Sequence, residues 1–243
     1  MRLHTPHRFT PSKTAPPGCP QKNYEPNYIG AMGQKFVIPK TGNYRFRAVA
    51  MRSVVNGAYV IQGEIFLKKG DVIMMVCGNA YQGANYTNGQ GGDMTAAAVY
   101  RPVAGVYGNW EPIVVSGGPG ASSGADGFTS LVQSEEVAPT SSGPGSVNGD
   151  GGAGWLVPSY PRHGSPRGLP FVQGYGGGGA IGIDGDGDGA TGGGGGYQGG
   201  RGATTAGVPG THCINTKCKS KSTSGRESTM VPYVEVTFLA GRE

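Results

Sequence analysis

Two short stretches of this chain hold the residues best suited to chemistry. In DGDGDG, Asp184, Asp186 and Asp188 alternate with glycine. That is the first half of a calcium loop, in which alternate carboxylates converge on one cation and a glycine makes the turn. The twelfth position of such a loop should be acidic, and here it is Gly195. Two readings stand: a calcium site completed by oxygens from another loop, or turn residues whose carboxylates accept nearby N–H groups. The second stretch, WLVPSYPRHGSPRGLPF at 155–171, sets Trp155, Tyr160 and Phe171 among Arg162, His163, Arg167 and several prolines. Rigid aromatic platforms beside fixed cations suit sugar rings and phosphates, because stacking and charge pairing then need little rearrangement. The same aromatics would also serve to pin a glycine-rich segment onto a sheet, with the arginines left in water.

Other motifs lack the context that their chemistry requires. Gly120-Ala121-Ser122-Ser123-Gly124 fits G-x-S-x-G, but a nucleophile elbow needs a helix after it, and ADGFTSLVQ has no helical pattern. Gly187, Gly189 and Gly192 fit G-x-G-x-x-G without a flanking βα unit. His163 and His212 are the only histidines beyond residue 34, and nothing assembles an acid–base constellation. The expectation is a protein that is not an enzyme. His212, Cys213 and Cys218 invite a metal reading, but their spacing is not that of a zinc ribbon. The two cysteines are expected either as a local disulfide or as free thiols. Lys217, Lys219, Lys221 and Arg226 lie in an acid-free stretch that reads as a solvated basic loop. A net charge of +5 over 243 residues is too modest to argue for nucleic acid.

The elements that must position these residues are strands. KFVIP, the turn KTGN and YRFRAVAM place Tyr44, Phe46, Ala48 and Ala50 on one face, with Arg45 and Arg47 on the other. YVIQGEIFL, the turn KKGD and VIMMVCG follow, and IVVSGG and YVEVTFL complete an all-β set. Residues 1–34, rich in proline and without apolar period, read as an extended attachment arm. The strands divide into 35–116, the first part of a sandwich, and 211–243, a basic loop with the final strand.

Between them, 117–210 is dominated by glycine, of which the chain has 48 residues. A structureless loop of that length is improbable in a compact domain. Gly176, Gly179, Gly182 and Gly185 recur every third residue, as do Gly193, Gly196, Gly199 and Gly202. Three residues per turn is the period of the polyproline II helix. A side-chain-free face would let such helices approach until backbone groups of neighbours bond. Ordering each backbone costs about 1–2 kcal/mol, so many must pack together or none will form, and the alternative is a flexible linker.

FVIPKTGNYRFRAVA, LKKGDVIMMVCGN, PIVVSGGPGA, GGGGGYQGG and YVEVTFL together resemble the glycine-rich extracellular domain of the anaplastic lymphoma kinase and leukocyte tyrosine kinase receptors. Glycine-rich tail-fibre adhesins of bacteriophages are similar in style. The resemblance spans roughly residues 35–239. It implies a tumour-necrosis-factor-like, jelly-roll-like β-sandwich with an inserted bundle of polyglycine II helices, and a homo-oligomer with a trimer favoured. Receptor signalling does not carry over, since function resides in sites rather than folds.

The N-terminus has no apolar run of the kind that a secretory signal needs, and no long apolar stretch suggests a membrane span. The expected protein is therefore a non-enzymatic virion structural or adhesion protein, assembled in the host cytoplasm. It would be a bacteriophage fibre or host-recognition component whose arm binds other virion proteins and whose loops bind a host surface glycan or protein. The alternatives are a capsid decoration or extracellular filament subunit and a secreted ligand-binding domain.

Overall fold

The computed structural model describes residues 8–9, 32–50, 58–78, 92–102, 110–118, 120, 131–134, 152–156, 158, 170–171, 192–201, 210–227 and 232–240. Every regular element among them is a strand. In chain order these are β1 (Arg8–Phe9), β2 (Met32–Val37), β3 (Gly42–Val49), β4 (Ala58–Leu67), β5 (Val72–Cys77), β6 (Thr95–Tyr100), β7 (Trp110–Ser116), β8 (Leu131–Ser134), β9 (His212–Asn215), β10 (Lys219–Glu227) and β11 (Tyr233–Ala240). They form a five-stranded sheet, β1-β11-β3-β4-β10, and a six-stranded sheet, β2-β5-β6-β7-β9-β8. All pairings are antiparallel except β8 with β9.

The alternation in YRFRAV decides which way β3 faces. Tyr44, Phe46 and Ala48 are buried, while Arg45 and Arg47 are half-exposed on the far side. Ile61, Ile65 and Leu67 of β4 and Val234 and Val236 of β11 turn the same way. They meet Ile73, Ala97, Val99, Ile113, Val114 and Ile214 of the six-stranded sheet in one core. Gly63 occupies the core-facing position between Ile61 and Ile65, where a Cβ would stand 2.9 Å from the Cys218 sulfur. Its missing side chain seats the β9–β10 turn against β4.

The chain crosses between the sheets at 38–41 and again at 68–71, and these two turns brace each other. Ile38 N–H donates to the Asp71 carbonyl at 2.8 Å, and Gly70 N–H to the Ile38 carbonyl at 2.9 Å. In KKGD, Gly70 has φ +93°, a conformation that glycine adopts without a Cβ penalty. The Asp71 carboxylate accepts the Lys68 N–H at 2.8 Å, which closes the turn.

The six-stranded sheet has a second buried face. Met74, Val76, Ala96, Ala98, Val115 and Cys213 point away from the main core into another apolar cluster, together with Met94, Trp155, Phe171 and Tyr197. Over them lie the glycine segments 92–94, 117–118, 152–154, 192–201 and 210–211. Gly210 N–H donates to Gly118 O at 3.0 Å, Gly118 N–H to Gly195 O at 2.8 Å, and Gly195 N–H to Gly92 O at 2.9 Å. Gly196 bonds Ala153 and Gly152 bonds Gly200, so bonding runs between segments. None of these glycines has positive φ; among the described glycines only Gly42 and Gly70 do. Their lack of a side chain therefore serves proximity. A Cβ on Gly118 would overlap the Gly92 carbonyl, one on Gly194 the Gly118 carbonyl, and one on Gly152 the Gly194 carbonyl. Close approach at Gly193 and Gly196 fits the period-three series, but Gly194, between them, is packed as tightly. The series at 176–185 lies outside the described residues.

Several expected boundaries move. The stretch expected to be a basic loop contains β10, an edge strand paired with β4 along a register shifted on both sides of Ser222–Thr223. Its polar sequence suits an edge that must not recruit further strands. Residues 1–34 are not wholly separate from the sheets: β2 begins at Met32, and Arg8–Phe9 pairs with β11. The glycine-rich region contains β8, and its described glycines pack with Gly92 from outside it. Cys213 and Cys218 are both free and buried. Cys213 lies in the cluster under the glycine segments and Cys218 in the main core, so the sheet separates them and rules out the local disulfide. Cys77, at the end of β5, is disulfide-bonded.

A candidate interface where the glycine layer ends

Of the aromatics singled out in the sequence, Trp155 and Phe171 are 2% and 0% exposed. Their rings stack with centroids 3.9 Å apart and planes 12° from parallel. The Trp155 indole N–H donates to the Trp110 carbonyl at 3.1 Å, and its backbone N–H to the Tyr197 carbonyl at 3.0 Å. Both residues pin the glycine segments to the sheet, which removes them from the expected recognition surface. A segment made of glycine has no side chains of its own to bury, so the nearest aromatics are drawn under it. Tyr160, Arg162, His163 and Arg167 lie outside the described residues, as do Asp184, Asp186 and Asp188. Among the described residues, no group of three His, Cys, Asp or Glu side chains could hold a metal ion.

His212 is also structural. Its Nδ1 accepts the Gly117 N–H at 2.9 Å, and burial pushes its pKa down to about 4. The ring is therefore neutral near pH 7 and serves as an acceptor that ties Gly117 to β9. Burial also pushes the Cys218 thiol up to about 12. A thiol so protonated is a poor nucleophile and a poor metal ligand.

Accessible side chains gather elsewhere, on the six-stranded sheet beyond the edge of the glycine layer. The register sets Val37 opposite Val72, Ile73 opposite Val99 and Tyr100 opposite Trp110. Val37, Val72, Tyr100 and Trp110 therefore form one row across β2, β5, β6 and β7. The next row inward, with Met74 and Ala98, is buried. The outer row is not: Val37 is 58% and Tyr100 39% exposed. The Tyr100 and Trp110 rings meet at 5.2 Å with planes 60° apart, and the Lys35 ammonium lies 5.7 Å from the Trp110 ring centroid.

Ion pairs lock this end of the sheet. The Arg101 guanidinium grips Asp71 with two bonds of 2.7 and 3.2 Å and reaches Glu111 at 4.0 Å. Glu111 accepts from Lys217 Nζ at 2.7 Å and from Asn215 Nδ2 at 2.9 Å. Burial by itself would raise both carboxyls. The bonds from Arg101 and from the Lys68 backbone outweigh it at Asp71, and those from Lys217 and Asn215 outweigh it at Glu111. Both therefore sit below the usual carboxylate range and stay ionised near pH 7. Two anions so fully engaged fix β6, β7 and the β4–β5 turn in place, with neither poised to take up a proton.

Sequence reasoning missed this end of the molecule. Tyr100 belongs to TAAAVY, whose alanines gave no alternation to read because both faces of β6 are buried. The one usable signal was the cluster of lysines in FVIPK and LKKGD, whose strands the sequence did indicate. No protein-family model matches the chain, and no curated protein matches it either.

Proposed function

We propose that the chain is a non-enzymatic structural or adhesion protein of a virion, a bacteriophage fibre or host-recognition component. In this reading it is a jelly-roll-like β-sandwich roofed by polyglycine II segments. The observation that carries the proposal is the glycine layer, where backbone bonds between segments and carbonyls packed against side-chain-free positions cover the inner rows of one sheet face. Such a layer leaves no slack for a moving lid and exposes little side-chain chemistry. It suits a rigid platform that works by contact.

The disulfide at Cys77 supports a final location outside the reducing cytosol. The N-terminal arm, expected over residues 1–34, would supply attachment to other particle proteins, and the assembled unit would be a homo-oligomer, with a trimer favoured. Calcium at Asp184, Asp186 and Asp188 belongs to the same proposal.

The test is to purify particles on a density gradient from the culture that carries the gene and to identify their proteins by mass spectrometry. Peptides of this chain should co-sediment with the particles, and the purified chain should bind host cells and slow adsorption. A chain found only in the soluble cell fraction would overturn the virion assignment. Particle association without cell binding would reduce the reading to a decoration or fibre subunit.

A further inference from the structure

The uncovered row at the end of the six-stranded sheet is ringed by cations that the packing leaves in solvent. Lys35, Lys40, Lys68, Lys69 and Lys217 are all exposed there, and Arg101 keeps 40% of its side chain open. The braced turns at 38–41 and 68–71 hold Lys40, Lys68 and Lys69 at one place, since Lys69 N–H also donates to Thr41 Oγ1 at 2.9 Å. Among the described residues, Asp71 and Glu111 alone oppose them locally, and both are already engaged by Arg101 and Lys217. Among the described residues, Lys35, Lys40 and Lys69 form no ion pair with a carboxylate, Lys68 feels the Asp71 carboxylate without a close ion pair, and the Lys40 ammonium lies 5.5 Å from the Phe238 ring centroid. Lysines carried on rigid turns make this end positive, and an anion could meet them without rearranging the fold.

We propose that this end binds an anionic polysaccharide, with its carboxylate or phosphate groups on the lysines and its sugar rings on the Val37–Val72–Tyr100–Trp110 row. The inference rests on the adhesion reading above and names its ligand class. Charge complementarity calls for a polyanion, and the apolar row selects which kind. A nucleobase needs an open aromatic face. Trp110 has the Lys35 ammonium near its ring and packs against the buried cluster under the glycine layer, while Tyr100 stands tilted beside it. What remains is the exposed part of Tyr100 and the methyl groups of two valines. These fit the C–H face of a sugar better than a stacked base.

The experiment is titration calorimetry of the full chain with alginate, a polyuronate, beside neutral dextran and single-stranded DNA of matched charge. Alginate should bind with an affinity that falls steeply as salt rises, and dextran should not bind. The double charge reversal Lys68→Glu/Lys69→Glu should abolish alginate binding. Tyr100→Ala should weaken it about tenfold, the equivalent of one ring contact. All three side chains altered this way are exposed, and matching thermal melts would establish that the variants fold. No alginate binding, or binding that Tyr100→Ala leaves intact, overturns the proposal. DNA bound as tightly as alginate overturns it in favour of a nucleic-acid surface. Either result leaves particle association untouched, so the ligand class and the virion reading fail separately.

Discussion

The five-stranded sheet turns a wet, charged face outward, whereas the six-stranded sheet turns its outer face toward glycine. On the first, Arg45 pairs with Glu64 across β3 and β4, and Arg47 lies 3.6 Å from Glu235 and 5.8 Å from the Tyr233 ring centroid. Water can satisfy every group there, so each contact adds little. On the second, Met74, Val76, Ala96, Ala98 and Val115 are sealed beneath segments whose backbone groups must find partners in one another. An unmade bond in that layer carries the full cost of a buried polar group. Similar strands thus carry one face that tolerates substitution and another that does not.

The sharpest way to break this comparison is a single methyl group in the glycine layer. Gly118→Ala should cost more than about 4 kcal/mol, because its Cβ would meet backbone that has nowhere to move. Gly70→Ala, with open space around it but φ +93°, should cost about 1 kcal/mol. Urea titration of both variants makes the measurement. Equal costs would mean that the layer yields, and that its bonds do not hold the sheet face closed.

A smaller effect links the glycine layer to pH through His212. Its folded pKa, pushed down to about 4 by burial, lies below the roughly 6.5 of an unfolded histidine. The unfolded chain therefore takes up the proton first. The contribution of the neutral ring is complete above about pH 6.5 and is lost progressively as pH falls toward 4, by roughly 2–3 kcal/mol. His212→Asn should be less stable at pH 7 and should flatten the slope in that window. Parallel slopes for the two proteins would show that acidification acts elsewhere.

The smallest effect belongs to the charged face. A double-mutant cycle on Arg45 and Glu64, whose side chains are 42% and 19% exposed, should return a coupling of at most about 1 kcal/mol, weaker still in high salt. A coupling of several kcal/mol, insensitive to salt, would erase the contrast between the two faces.

Much of the strand content is legible in the residues themselves. YRFRAV and YVEVTF alternate because each has one face in the core and one in water, and KKGD turns because Gly70 accepts a positive φ and Asp71 caps the turn. The pattern fails where that asymmetry is absent. TAAAVY is buried on both sides, and KSKSTSGRE is an edge strand with no apolar face to display. Period-two reading cannot see either. The candidate interface was illegible for a related reason. Val37, Tyr100 and Trp110 are far apart in the chain and become a row only through the register of β2, β5, β6 and β7.

By itself, the sequence determined that the chain would form strands and offered glycines that could be used for close approach, since alternation and side-chain volume are local properties. The tertiary structure alone decided which glycine meets which carbonyl and where the covering layer stops. It also decided that Trp155 and Phe171 are spent on packing while Tyr100 is left open. Those outcomes depend on contacts between segments distant in sequence, and glycine, having no side chain, writes nothing into the sequence about the neighbour it will touch.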